Sequence, residues 1–101
     1  MPSVFSRIIA SELPAHFVWK DQRCVAFLSN NPLRPGHVLV VPRAEVDHWI
    51  NLDDGTLLAL MQASRVIARA LQAIFTPIKV GLMIAGIEVP HVHIHLCPID
   101  G

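Results

Sequence analysis

The segment His91-Val92-His93-Ile94-His95-Leu96-Cys97 decides how the rest of the chain is read. Imidazole and aliphatic side chains alternate through it, and side chains on a β-strand alternate faces with a period of two. His91, His93, His95 and Cys97 therefore share one face of a strand, and Val92, Ile94 and Leu96 share the other. The aliphatic face predicts a surface sealed against a core. The imidazole face predicts a row on the open side of a sheet, with neighbours about 7 Å apart. The strand itself is expected to begin at Val89 or His91 and to end at Pro98.

Upstream of it, Lys79 to Ile84 reads as a further strand. Before that lies a long helical pattern. Asp53-Asp54-Gly55-Thr56 supplies helix-start chemistry, and Pro77 closes the run. Between them Leu57, Leu60, Met61, Ser64, Ile67, Ala68, Leu71, Ile74 and Phe75 recur at spacings of three, four and seven, with Gln62, Arg65, Arg69 and Gln72 opposite. That is one amphipathic helix of about five turns. Val38 to Val41 reads as a strand opened by His37 and closed by Pro42, after a turn-rich loop from Asn30 to Gly36. Cys24 to Leu28 and His16 to Lys20 are two more strands joined by the turn Asp21-Gln22-Arg23, and Ser6 to Glu12 forms a short helix ended by Pro14. Strands at both ends of one long helix predict an α+β fold with an antiparallel sheet.

The 101 residues make one domain over 1–101, with enough chain to bury a single core. A composition that is 52% hydrophobic and 16% charged excludes disorder as the main state. Eight basic and eight acidic residues balance to zero, which argues against a general nucleic-acid or anionic-membrane binder and suits partial burial in an oligomer. Two cysteines, Cys24 and Cys97, are too few for a disulfide framework and form no Cys-x-x-Cys pair. The first residues lack a long apolar stretch, and Arg65 and Arg69 interrupt the longest apolar run. The expectation is a cytoplasmic protein with no membrane span and both thiols reduced.

Three histidines in strict alternation point to chemistry. They can chelate a metal such as zinc, which takes three or four ligands with carboxylates behind them. They can also perform nucleophilic and acid–base chemistry without metal, because imidazole titrates near neutrality and is itself a nucleophile.

Two stretches together give a resemblance. Phe27-Leu28-Ser29-Asn30-Asn31-Pro32-Leu33-Arg34-Pro35-Gly36-His37, followed by Val38-Leu39-Val40-Val41-Pro42, resembles the first signature of the histidine triad (HIT) family. His91-Val92-His93-Ile94-His95-Leu96-Cys97 matches the second, and Val4-Phe5-Ser6-Arg7-Ile8-Ile9 with Glu12-Leu13-Pro14-Ala15 is similar to the family's N-terminal segment. The resemblance covers essentially the whole chain and lies closest to the Hint-type branch. It implies a five-stranded antiparallel sheet with one long helix packed across it, usually paired as a homodimer. It also implies a metal-independent, cofactor-free hydrolase or nucleotidyl transferase acting on a purine nucleotide or nucleoside phosphoramidate; other branches take dinucleoside polyphosphates. By position His93 would be the nucleophile that becomes nucleotidylated. His95 would contact the phosphate and protonate the leaving group, His37 would orient His93, and His91 would support the row through hydrogen bonds. Phe5, Ile8, Phe27 and Leu39 fall where the base pocket is expected, and Ser29, Asn30, Gly86 and Glu88 where the sugar and phosphate are held.

This chain departs from the family pattern at several of those positions. Ser29 and Asn30 stand where many members carry an acidic residue, which grips the ribose hydroxyls, and then an apolar one. The charge-assisted bond is lost with that carboxylate. Both residues can equally serve the loop turn. Glu88 replaces a hydroxyl that would touch the phosphate. Three roles for it stay open: limiting phosphate binding, pairing with an arginine, or recognising a cationic leaving group, beside that of a solvated loop residue. Ser3 and Ser6 occupy the places of two zinc cysteines of some bacterial members, and Glu45 that of another ligand, so no structural zinc is expected. His16 and His48 read as exposed bystanders, and Cys97 as a small buried filler in preference to a catalytic thiol. The sequence runs six residues beyond His95, where most relatives continue into a tail, so a short member and a truncated chain are both open. Two other readings are a catalytically weak nucleotide-binding or interaction module on the same fold, and a metal-binding protein using the His91, His93 and His95 row.

Overall fold

The computed structural model describes residues 2–100. Its elements are α1 (Val4–Ile9), β1 (Phe17–Lys20), β2 (Cys24–Leu28), β3 (Val38–Pro42), a single 3₁₀ turn (Trp49–Asn51), α2 (Asp54–Phe75), β4 (Lys79–Met83) and β5 (Ile94–Ile99). The strands form one antiparallel sheet in the order β1-β2-β3-β5-β4. This is the expected α+β architecture, a five-stranded sheet crossed by one long helix.

The central strands are buried on both faces. On one face Cys24 and Ala26 of β2, Val38 and Val40 of β3, and Ile94 and Leu96 of β5 pack with Val92 against Leu60, Ala63, Ile67 and Leu71 of α2. Each fully buried Leu or Ile in such a layer contributes about 1.5–3 kcal/mol. On the other face Val25, Phe27, Leu39 and Val41 pack against Phe5 and Ile8 of α1. The histidine row lies on this second face, so α1 covers the site while α2 supports it from behind. By length and composition α2 could cross a bilayer, yet Leu60, Ala63, Ile67 and Leu71 along one side of it are buried on the sheet.

Several boundaries differ from the sequence expectation. The first helix spans Val4–Ile9 rather than Ser6–Glu12, because Ser3 caps it by accepting from the Ser6 N–H, and Ser11 takes a left-handed φ of 64° that ends it before Pro14 acts. The long helix starts at Asp54, capped by the Asp53 carboxylate on the Thr56 N–H, and Thr76 at φ 45° stops it. Met61, Ile74 and Phe75, read as part of its core stripe, are exposed. β4 stops at Met83, one residue short of Ile84.

The last strand begins at Ile94, not at Val89 or His91. Val40 pairs with Ile94, so continuing the register would set Pro42 opposite Val92. Pro42 has no N–H to give to the ladder, and the Val92 N–H donates instead to Val46 O at 2.7 Å. The alternation of faces nonetheless persists back to His91.

The two cysteines are free and differ sharply. Cys24 is buried beside Asp21; burial, reinforced by the Asp21 charge, pushes its thiol up to about 12. Cys97 is half-buried on β5.

Candidate active site

The triad residues are not an open row. His91 and His93 are 0% and 5% exposed, and only His95 is half-exposed. The reason is α1, whose Phe5 ring meets His91 at 5.7 Å and His93 at 4.9 Å between centroids, edge to face in both cases. His93 in turn lies 4.9 Å from His95.

Every ring has a fixed partner. The Nδ1 of His93 lies 2.8 Å from the carbonyl oxygen of His91. A carbonyl only accepts, so Nδ1 carries the proton and Nε2 of the neutral ring presents a lone pair. The Nε2 of His91 lies 2.7 Å from the Pro42 carbonyl, so it is the donor there, and its Nδ1 accepts from the Ser3 hydroxyl at 2.7 Å. Ser3 N–H and Ser6 O–H both donate to Glu45 Oε1, at 2.6 and 2.7 Å. The positions read as lost zinc ligands thus form one hydrogen-bonded cluster that joins α1 to His91.

The position of His37 corrects the sequence expectation. It was expected to orient His93, but its Nε2 lies 3.0 Å from His95 Nδ1. The register explains this. Val38 pairs with Leu96, so His37 lies opposite Cys97, diagonal to His95 and four residues from His93. The Leu33 N–H donates to His37 Nδ1 at 3.1 Å. The neutral His37 ring therefore carries its proton on Nε2 and donates to His95, which leaves the His95 proton on its own Nε2, away from His37. Burial lowers the proton affinity of His37, His91 and His95 below the ordinary imidazole value. At His95 the neighbouring His93 and His37 act in the same direction, and Glu88 opposes them. The His95 Nε2 proton and the His93 Nε2 lone pair therefore stand side by side when the rings are neutral.

A cleft of about 500 Å³ opens over these rings. It is lined by Phe5, Ile8, Phe27 and Leu39, by Ser29 and Asn30, and by Glu88, together with His37, His93 and His95. Ten of the twelve residues singled out from the sequence are thereby brought together. His91 lies behind the cleft as a support. Gly86 lies outside it and lines a separate, smaller cavity with Asp47, His48 and Trp49, because its left-handed φ of 74° turns the loop away before Glu88. The Ser29 hydroxyl accepts from the Asn31 N–H at 3.2 Å, so it serves the turn while its own proton stays available to the cleft. Met83 and Val89 also line the cleft and were not foreseen. Met83 is placed there by pairing with His95 across β4 and β5, a register the sequence does not state. His16 and His48 are exposed, as expected.

The hydrogen-bond inventory bears on metal chelation. Both nitrogens of His91, Nδ1 of His93 and Nδ1 of His95 already have partners. Among the described residues no three His, Cys, Asp or Glu side chains are grouped to hold a metal ion.

Residues 10–101 match the family described as HIT domain. An uncharacterised HIT-like protein of Borreliella burgdorferi is 36% identical over 94% of this chain and 73% of its own length. An adenosine 5′-monophosphoramidase of Saccharomyces cerevisiae is 30% identical over 94% of this chain and 61% of its own. The crystal structure of a HIT-family member from Bacillus subtilis superposes with a TM-score of 0.93 at 30% identity, covering 100% of this chain and 75% of that one.

Proposed function

The chain belongs to the HIT domain family, whose members include hydrolases of nucleotides, and from that premise we propose that it hydrolyses nucleoside phosphoramidates through a nucleotidyl-His93 intermediate. The observation that carries this reading is the pair of fixed tautomers: a lone pair on His93 Nε2 beside an N–H on His95 Nε2.

The nucleoside base lies on the apolar floor of Phe5, Ile8, Phe27 and Leu39, with the sugar toward Ser29 and Asn30. His93 Nε2 attacks phosphorus and forms the P–N bond. The P–N bond to the departing amine breaks with its electron pair, and the His95 Nε2 proton goes to that nitrogen, leaving His95 anionic beside the positively charged nucleotidyl-His93 until water returns the proton. Water then attacks the phosphoryl-imidazole, returns a proton to His95 and frees His93 and a nucleoside monophosphate. Splitting one displacement into two lowers each barrier, and a positioned acid supplies about 10²–10⁴-fold. The carbonyl of His91 stabilises the positive charge that develops on His93 as it attacks. The hydrogen bonds of His91 support this reading over chelation by the whole row, because both its ring nitrogens are engaged and it could ligate only by giving one of them up.

We place the active form as a homodimer. β4 is an edge strand whose Leu82 and Met83 are exposed, and such edges are normally covered. Sedimentation as a monomer at micromolar concentration would refute this.

Intact-mass analysis of protein quenched during turnover tests the mechanism. A nucleotidyl adduct is expected on the native chain and none on His93→Ala, whose kcat should fall at least about 10³-fold while nucleoside monophosphate binding stays nearly unchanged. Near-native turnover by His93→Ala would overturn the assignment.

A further inference from the structure

The cleft has an electrostatic character that the proposed chemistry does not by itself require. No Lys or Arg lines it, and Glu88 is the one Asp or Glu that does. The arginines that pair are engaged elsewhere: Arg7 with Glu12, Arg23 with Asp53 and Arg34 with Asp100. Among the described residues Glu88 has no cation within ion-pair distance, which removes pairing with an arginine from its possible roles. His37 and His95 add no compensating positive charge near neutral pH, since burial disfavours their protonation.

The sheet register fixes which residues flank the reaction centre. His95 is paired with Leu39 on one side and with Met83 on the other. Leu39 belongs to the apolar floor that also contains Phe5, Ile8 and Phe27. With a base on that floor and phosphorus at the His93 and His95 nitrogens, the departing group extends toward Met83, in a cleft whose lining also holds the Glu88 carboxylate. The Glu88 charge reaches far enough to act on His95.

Resting on the phosphoramidase reading, we infer that Glu88 forms a leaving-group subsite selecting substrates whose departing amine carries a second, protonated amine. A phosphoramidate linkage carries a single negative charge, and an ammonium on its tail lies in the field of the Glu88 carboxylate. A dinucleoside polyphosphate instead brings several negative charges into a cleft that offers no cation to meet them and one anion to repel them. The same residue thus attracts one class of nucleotidyl substrate and disfavours another. Because Glu88 is exposed, the discrimination is modest and sensitive to salt.

The test compares two adenosine phosphoramidates with the same pentyl tail, one ending in methyl and one in ammonium, and a dinucleoside tetraphosphate. The native chain, Glu88→Gln and Glu88→Lys are assayed at low and at high salt. At low salt the native chain should favour the ammonium tail in kcat/KM by about two- to five-fold. High salt should erase that ratio. Glu88→Gln should bring it to about one, and Glu88→Lys should invert it and raise relative activity on the tetraphosphate. If both phosphoramidates turn over with a ratio that neither salt nor substitution changes, the subsite falls and the phosphoramidase reading stands. If the native chain turns over neither phosphoramidate, both fall.

Discussion

Replacing His37 by phenylalanine separates the two roles that a fourth histidine can play here. Phenylalanine fills the volume of a side chain that is 4% exposed, but it removes the bond to His95 Nδ1 and the acceptor for the Leu33 N–H. A neutral hydrogen bond of this kind is worth about 0.5–1.5 kcal/mol net. If that bond holds His95 as the Nε2–H tautomer, its loss lowers kcat by about 2- to 13-fold, at about 1.36 kcal/mol per tenfold. The ceiling is the about 10²–10⁴-fold that a general acid supplies, reached if His95 turns away altogether. The loss should appear with an alkylamine leaving group, which needs a proton, and shrink below about two-fold with a nitrophenolate, which does not. Steady-state kinetics on an adenosine alkylphosphoramidate and on the nitrophenyl ester of adenosine monophosphate measure both. Stability should fall by about 1–3 kcal/mol, since the Leu33 N–H loses its partner, so the assays run well below the new Tm. Equal losses on the two substrates would show His37 acting on the nucleophile after all, and the relay from His37 to His95 would be wrong.

Acid should destabilise the fold in a defined window. His37, His91 and His95 all have folded proton affinities lowered by burial, so the unfolded chain binds more protons than the native one below about pH 6.5. Tm should be level above about pH 7.5 and decline as pH falls through 6.5 toward the lower folded values; a Tm that rises over this range would refute the neutral assignments. Ser3→Ala removes a helix cap and strands the buried His91 Nδ1, a loss of about 2–4 kcal/mol read by urea unfolding; an unchanged midpoint would mean the cluster holds nothing. Ser64 carries a buried hydroxyl with no hydrogen-bond partner in the core, so Ser64→Ala should be neutral or stabilise by up to about 1 kcal/mol in the same measurement. Exhaustive chelation should leave phosphoramidate turnover unchanged, whereas loss with recovery on added zinc would restore the metal reading of the histidine row.

How much of this was legible in sequence depends on the kind of information each feature needs. The two faces of the triad segment follow from a period of two, and Val92, Ile94 and Leu96 indeed pack under α2 while the imidazoles face α1. The long helix was visible because its apolar spacing repeats over many turns. The start of α1 was not, because Ser3 is held from Glu45, forty-two positions away. The partner of His37 was misassigned for a related reason. Proximity in a motif says that two histidines are near, but only the pairing of Val38 with Leu96 says which ring lies on the diagonal. Burial of His91 and His93 was missed because the covering residue, Phe5, comes from the opposite end of the chain. Gly86 was assigned to the site by position in a motif, and one left-handed residue turned it elsewhere.

The contrast between the two thiols makes the native chain its own spectroscopic handle. With its thiol at about 12 and no exposure to solvent, Cys24 is protonated and shielded at the pH of a maleimide reaction. Cys97 is half-exposed and sits on β5 two residues beyond His95. A fluorophore or spin label should therefore attach at one site without any engineered cysteine. Its signal would report whether β5 responds to added nucleotide, in a protein whose histidines have not been altered to observe them.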